Sequence, residues 1–172
     1  GIQLVSSTDN TLINSNGTSN SSYGIYITSS SHRNTLNNSL GSSNSSSGAY
    51  FLNSANNTFA NSTLMSNFSN ALRLNNSNNT SIYNNTFAST NKSSTLVVLT
   101  GASASNTFWW NNFTNTSGYY VNDSSTGAGN SYNGTVWNGT ADVGEGNIWF
   151  DVMNGSVRIT GGAASAGFPS LY

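Results

Sequence analysis

Short apolar patches alternate with long polar stretches along this chain, and the alternation repeats. It is clearest at Ala71 to Phe87 (ALRLNNSNNTSIYNNTF), where a run with apolar residues leads into an Asn/Ser turn, an Asn-Thr pair and a second apolar patch. The same phrase stands at Ala49 to Leu64 and at Ile25 to Leu40, with a weaker copy from Ile2 and degenerate copies from Thr95 and Tyr119. Starts at Ile2, Ile25, Ala49, Ala71, Thr95 and Tyr119 lie 23, 24, 22, 24 and 24 residues apart. A period this even predicts a solenoid.

The apolar patches are short and rich in β-branched and aromatic residues, so they read as strands. Asn, Ser, Thr and Gly disfavour helix interiors, and no 3.6-residue period persists. A unit of this length holds two or three short strands and cannot close its own core. Stacked so that each strand pairs with its copy one repeat later, it forms an all-β parallel β-helix of six to seven rungs, rising about 4.8 Å per rung. Leucine-rich repeats have similar periods but need a Leu-rich consensus that is absent here. Strand alternation points Ile25, Ile27, Leu72 and Leu74 inward and Arg73 outward. Apolar pairs five residues apart, at Phe59/Leu64, Ile82/Phe87, Phe108/Phe113 and Tyr132/Trp137, require a corner between them, expected near Asn61, Asn84 or Asn111. The pairs Asn10-Thr11, Asn34-Thr35, Asn57-Thr58, Asn79-Thr80 and Asn106-Thr107 are expected to stack as one corner column, because Asn tolerates left-handed backbone angles and its amides bond along a stack.

After Trp137 the period fades. Asn138 to Gly146 is Gly-rich and carries Asp142 and Glu145, read as a solvated loop beside a cap. Two apolar segments, Asn147 to Asp151 and Ser156 to Thr160, flank Asn154-Gly155, a hairpin-turn dipeptide. The expected organisation is a β-helix with an irregular last rung or hairpin over 1–160 and an extended or docking tail over 161–172.

Gly24-Ile25-Tyr26-Ile27 with Asn34-Thr35-Leu36, the run Leu74 to Thr80, and Gly146-Asn147-Ile148-Trp149 together resemble the repeats of the NosD-like and pectate-lyase-like families of right-handed parallel β-helices. The likeness spans about Ile2 to Trp149. It implies a right-handed coil. For activity it implies little, because such repeats serve polysaccharide-active enzymes, periplasmic copper-assembly proteins and surface proteins alike.

Composition narrows these classes. Charged residues are 5% of the chain and the net charge is −1, so no basic surface is present to hold a nucleic acid backbone. Asn, Ser and Thr number 31, 33 and 19, which alone would suit a disordered tract. The 8 Phe, 8 Tyr and 4 Trp, and the recurring Ile, Leu and Phe columns, argue for a packed core. No cysteine is present, which excludes disulfides and thiolate metal sites, and no apolar stretch is long enough to span a membrane as a helix.

The ionisable side chains of the repeats and the segment after them are Asp9, His32, Arg33, Arg73, Lys92, Asp123, Asp142, Glu145, Asp151 and Arg158. A polysaccharide hydrolase needs two carboxylates facing one groove. A lyase needs a base, usually beside acidic calcium ligands. No rung presents two acids close in sequence, so no catalytic residue, metal site or cofactor is expected. One histidine does not make a metal site, and His32-Arg33 reads as a surface turn. In Phe108-Trp109-Trp110 at least one indole must face outward.

Asn-X-Ser/Thr occurs eighteen times. The candidate N-glycosylation sites are Asn16, Asn20, Asn37, Asn44, Asn56, Asn61, Asn67, Asn75, Asn78, Asn84, Asn91, Asn112, Asn115, Asn122, Asn133, Asn138 and Asn154, with Asn79 adjacent to Asn78. Glycans would supply the hydration that the missing charges do not, and they point to an extracellular or cell-surface location in an archaeal or eukaryotic source. The first rung opens directly on Ile2-Gln3-Leu4-Val5. An uncapped β-helix end exposes backbone groups and a slice of core. Ile2 and Leu4, with Phe168, Leu171 and Tyr172 of the tail, are therefore the candidate assembly residues. The expected function is a non-enzymatic, N-glycosylated surface protein joining copies of itself end to end into a filament or layer. A carbohydrate-binding or adhesion module, and a polysaccharide lyase or hydrolase, are the alternatives.

Overall fold

The computed structural model describes residues 1–172 except 92, 115–117, 133, 138–141, 146, 150–158 and 161–172, with 134–137, 142–145, 148–149 and 159–160 described as backbone. The chain is a right-handed parallel β-helix with five complete three-strand turns. The first turn holds β1 (Ile2–Val5), β2 (Thr11–Ile13) and β3 (Asn16–Ser19); the second, β4 (Ile25–Thr28), β5 (Thr35–Asn37) and β6 (Leu40–Ser43). The third holds β7 (Ala49–Leu52), β8 (Thr58–Ala60) and β9 (Thr63–Ser66); the fourth, β10 (Leu72–Asn75), β11 (Ser81–Tyr83) and β12 (Thr86–Ser89). The fifth holds β13 (Val97–Thr100), β14 (Thr107–Trp109) and β15 (Asn112–Phe113). A sixth turn begins with β16 (Val121–Asp123), leaves the coil through a hairpin of β17 (Gly134–Trp137) and β18 (Asp142–Glu145), and returns as β19 (Ile148–Trp149); β20 (Ile159–Thr160) pairs with β16 and begins a seventh.

Three sheets run along the rod: β1-β4-β7-β10-β13-β16-β20, β2-β5-β8-β11-β14 and β3-β6-β9-β12-β15-β19. In the first, Ile2, Ile25, Ala49, Leu72, Val97 and Val121 are register partners, so the true steps are 23, 24, 23, 25 and 24 residues. Repeat starts at Ala71, Thr95 and Tyr119 are therefore early by one, two and two residues. The cause is physical: the residue just before the strand is also buried in these turns, so Ala71 imitates a strand residue.

Three corners per turn are built on residues with positive φ. They form the columns Ser6, Ser29, Asn53, Asn76, Gly101; Asp9, Arg33, Asn56, Asn79, Ser105, Gly129; and Asn14, Asn38, Asn61, Asn84, Trp110. The third column is the corner expected between the apolar pairs five apart. Asn and Ser suit these positions because a short polar side chain lowers the left-handed penalty. Ile25, Ile27, Leu36, Phe51, Phe59, Leu64, Leu72, Leu74, Ile82, Phe87, Phe108 and Phe113 fill the interior as alternation requires.

The Asn-Thr column needs correction. Two jobs assigned to one Asn belong to adjacent residues. The left-handed residue is followed by one whose side chain turns inward, and the latter makes the inner ladder of side-chain oxygens on backbone N–H groups. That inward column is Asn10, Asn34, Asn57, Thr80, Asn106 and Asn130, buried from Asn34 on, so Thr80 rather than Asn79 stands in the fourth turn. Asn34 Oδ1 accepts from Asn10 N at 3.0 Å, Asn57 Oδ1 from Asn34 N at 2.9 Å, and Asn106 Oδ1 from Thr80 N at 3.0 Å. A second inward column, Ser15, Ser39, Ser62, Asn85, Asn111 and Asn147, repeats the device at the next corner. These bonds satisfy the backbone donors that the corners remove from the strand ladders.

Asn147 sits in this column, so the period does not end at Trp137. The β17–β18 hairpin is an insertion at one corner, and the coil resumes above it. The hairpin expected around Asn154-Gly155 lies outside the described residues; on either side of it, β19 pairs with β15 and β20 with β16. Residues 161–172 lie outside the described residues.

Candidate functional site

Asp9 and Arg33 face each other one turn apart. Arg33 donates from Nε and Nη2 to the two carboxylate oxygens, both at 2.7 Å. Those bonds hold the Asp9 carboxyl below its usual range and raise the Arg33 guanidinium. Next to them, Ala55 N donates to His32 Nδ1 at 2.9 Å. Arg73 points outward from β10, as expected, and lies over the Tyr50 ring at 5.1 Å, a cation–π contact. Its Nε is buried without a hydrogen-bond partner.

Asp123 is the functional-looking residue that sequence reasoning left without a role. It continues the inward column of Leu4, Ile27, Phe51, Leu74 and Leu99, and it is fully buried. Its carboxylate accepts from Ser125 N and Oγ at 3.2 and 2.6 Å, from Asn130 Nδ2 at 3.1 Å and from Tyr132 OH at 2.8 Å. Burial, and then the Asp123 charge, push the Tyr132 hydroxyl far above its usual range. This is a buried network inside the core of the sixth turn. The true repeat register would have placed Asp123 among the core residues.

Asp142 and Glu145 end strand β18 rather than occupying a loop; Asp151 lies outside the described residues. Among the described residues, no three His, Cys, Asp or Glu side chains gather as metal donors. The carboxylates of Asp9 and Asp123 stand at opposite ends of the coil, one in a corner and one in the core.

Several aromatic faces are stacked within the protein. Tyr26 lies on Tyr50 with centroids 5.5 Å apart, and Tyr23 packs on both rings. Tyr83 and Trp109 stack at 4.7 Å on the outer face of the second sheet. Each ring in such a pair covers one face of its neighbour. Trp110 differs: it is 46% exposed and holds a left-handed corner, φ 55°, that four earlier turns give to Asn.

The acceptor-motif asparagines sort cleanly. Asn16, Asn20, Asn56, Asn61, Asn79, Asn84 and Asn112 are exposed, and Asn37, Asn44, Asn67, Asn75, Asn78, Asn91 and Asn122 are half-buried. Asn115, Asn133, Asn138 and Asn154 lie outside the described residues. The buried Asn34, Asn57, Asn85, Asn106, Asn111 and Asn130 carry no motif. The fold itself writes this division. A left-handed Asn, an inward Asn or Ser, and an outward Thr at the strand start make Asn56-Asn57-Thr58, Asn61-Ser62-Thr63 and Asn84-Asn85-Thr86. Two residues after an inward Asn comes a core residue such as Leu36, Phe59 or Phe108, which cannot complete a motif. Many of the motifs therefore report corners. Outer amides also bond along the rod: Asn44 Nδ2 to Asn20 Oδ1 at 3.2 Å, Asn67 Nδ2 to Asn44 Oδ1 at 2.9 Å, and Asn84 Nδ2 to Asn61 Oδ1 at 2.6 Å. The first of these ladders lies in a shallow groove lined also by Thr18, Ser19, Ser42 and Ser43.

Of the candidate assembly residues, Ile2 and Leu4 lie half-buried in β1, packed against the core, and β1 pairs on one side with β4. Phe168, Leu171 and Tyr172 lie outside the described residues.

A family model described as "Periplasmic copper-binding protein (NosD)" matches residues 1–154. The chain belongs to the NosD family. No curated protein and no solved structure matches it. The family description names copper, and the donor set here does not fit that ion. The whole chain holds one His, no Cys and two Met. Copper(I) selects thiolate and thioether sulfur, and copper(II) favours several nitrogen and oxygen donors in a tetragonal array. In this NosD-family chain the one imidazole already accepts a backbone bond, and the Asp9 carboxylate one turn below is occupied by Arg33.

Proposed function

We propose that the chain is a non-enzymatic, extracytoplasmic structural protein whose rod is the functional object. The observation that carries this reading is the use made of the charged and titratable side chains among the described residues. Asp9 with Arg33, His32, Arg73 and Asp123 each tie one turn to the next or close the core, and none is paired with another for proton transfer or substrate capture. The periplasmic description of the family supports a location outside the cytoplasm.

Assembly and glycosylation are the finer parts of this reading. The edge of β1, with Ile2 and Leu4, is suited to pairing with a strand of a second copy, the 161–172 tail being the candidate donor. N-glycans on exposed asparagines such as Asn16, Asn56 and Asn112 would coat an otherwise uncharged rod at a cell surface. Native protein examined by negative-stain microscopy and intact mass measurement is expected to give polymers and a mass above 18.0 kDa. Monomers of bare-chain mass would remove both parts. Deleting 161–172 is expected to abolish polymers.

Trp110 favours a second reading, a carbohydrate-contacting surface. Holding a bulky residue at a left-handed corner costs about 1–2 kcal/mol, and strain of this kind collects at functional sites. Tryptophan fluorescence quenched by a neutral oligosaccharide, and unquenched in Trp110→Asn, would support it.

A further inference from the structure

The backbone bonds of the second corner place His32, Ala55, Asn78 and Ala104 in one column, because Arg33 N donates to Ala55 O, Asn56 N to Asn78 O and Asn79 N to Ala104 O. Side chains in this column take turns. His32 Nδ1 accepts from Ala55 N at 2.9 Å, and Asn78 Oδ1 accepts from Ala104 N at 2.8 Å. An acceptor side chain therefore reaches over an alanine twice along the same corner, once as imidazole and once as amide. A backbone N–H at Nδ1 requires a lone pair there, which puts the imidazole proton on Nε2. The ring is half-buried, the Arg33 cation adjoins it in sequence, and the Asp9 carboxylate is bound in both oxygens.

We propose that this chain is a copper-free member of its family, and that His32 serves as a backbone clamp that an asparagine replaces. The family description supplies the contrast, and the donor inventory with the Asn78 parallel supplies the argument. Copper sites use more than one soft or imidazole ligand, and second-shell bonds fix which nitrogen is free. Here one imidazole stands alone, and Met65 lies on the third sheet rather than at this corner. The proposal goes beyond the structural reading above, since a rod of either kind could hold a metal.

The test uses the full chain as wild type, His32→Asn and His32→Ala. Thermal melting is expected to leave His32→Asn at the wild-type Tm and to lower His32→Ala by about 2–4 °C, the loss of one backbone partner. Copper(II), and copper(I) under reductant, are added with a hundredfold excess of free histidine as competitor, followed by desalting and metal analysis. No retained copper and no copper-dependent Tm shift are expected in any of the three. Stoichiometric copper in the wild type overturns the copper-free assignment, whether or not His32→Asn keeps it. His32→Asn melting as low as His32→Ala, or His32→Ala melting like wild type, overturns the clamp.

Discussion

The first turns and the last turns of this rod solve the same corner with opposite means. Where the third sheet meets the first, the facing inward pairs are Gly17 with Gly24, Gly41 with Gly48, Leu64 with Ala71, Phe87 with Leu96, and Phe113 with Tyr120. Bulk grows steadily along the coil. At the thin end, backbones approach so closely that a Cβ on Gly48 would meet Met65 O at 2.7 Å, Ala71 O at 2.8 Å and Gly41 O at 2.8 Å. At the wide end, Phe113 sits 5.0 Å from Phe87 and 6.3 Å from Tyr120, ring centroid to ring centroid. One backbone coil thus accommodates a gradient of side-chain volume because each turn need match only its neighbours. A step from Gly41 to Phe113 in adjacent turns would break the ladder; spread over three intervals, it does not.

The comparison can be broken at either end. The largest effect is expected from Phe113→Ala, which empties the wide corner between two rings and should lower stability by about 3–5 kcal/mol in denaturant unfolding. Gly48→Ala should follow, at about 3 kcal/mol, because all three neighbours are backbone oxygens that cannot rotate away. A stable Gly48→Ala variant would show that the thin end has slack. Gly41→Ala is softer, since its nearest obstacle is Leu64 Cδ2 at 2.6 Å; pairing it with Leu64→Ala should recover part of the loss, as measured by a double-mutant cycle.

The polar closures of the two ends sharpen the same contrast. At the wide end, Tyr132→Phe leaves Asp123 short of a donor and should cost about 1–3 kcal/mol. Tyr132 also sets an alkaline limit. Its folded pKa is raised, so its contribution is complete below the usual tyrosine value of about 10 and declines as pH rises beyond it. Melting followed from pH 8 to 11 should therefore fall more steeply in the wild type than in Tyr132→Phe. At the thin end, the Asp9–Arg33 pair is exposed, with side chains 57–60% accessible, and solvent screens it. Asp9→Asn should leave Tm unchanged near neutrality. Since the Asp9 pKa is lowered, whatever it contributes is present above about 3.9 and fades as pH falls below that. A Tm loss as large as that of Tyr132→Phe would mean that the thin end depends on its one ion pair.

Sequence reasoning reached the coil, its turn-by-turn pairing, the third corner and most core residues, because Ile25/Ile27, Leu72/Leu74 and the pairs five apart repeat with strict alternation. It slipped where two residues share a chemistry. Ala71 looked like a strand start, although it is the buried residue before one. Asn79 looked like a ladder residue, although it is the left-handed residue before Thr80. The glycine taper was unread, since Gly17 and Gly41 show no pattern until set against Leu64 and Phe87 in register. Asp123 has no readable role in the sequence for the same reason. The acceptor motifs were legible as motifs, but their tie to the corners needed the directions of the side chains.

The sequence by itself determined that short β strands repeat at a near-constant interval, because apolar residues recur where a stacked turn must bury them. It also determined that little charge is available for chemistry. The tertiary structure alone decided which of two neighbouring asparagines turns inward, which glycines and which rings meet at one corner, and what holds Asp123 and His32. Each of these depends on contacts between turns more than twenty residues apart, and a shift of one residue in register exchanges inside for outside.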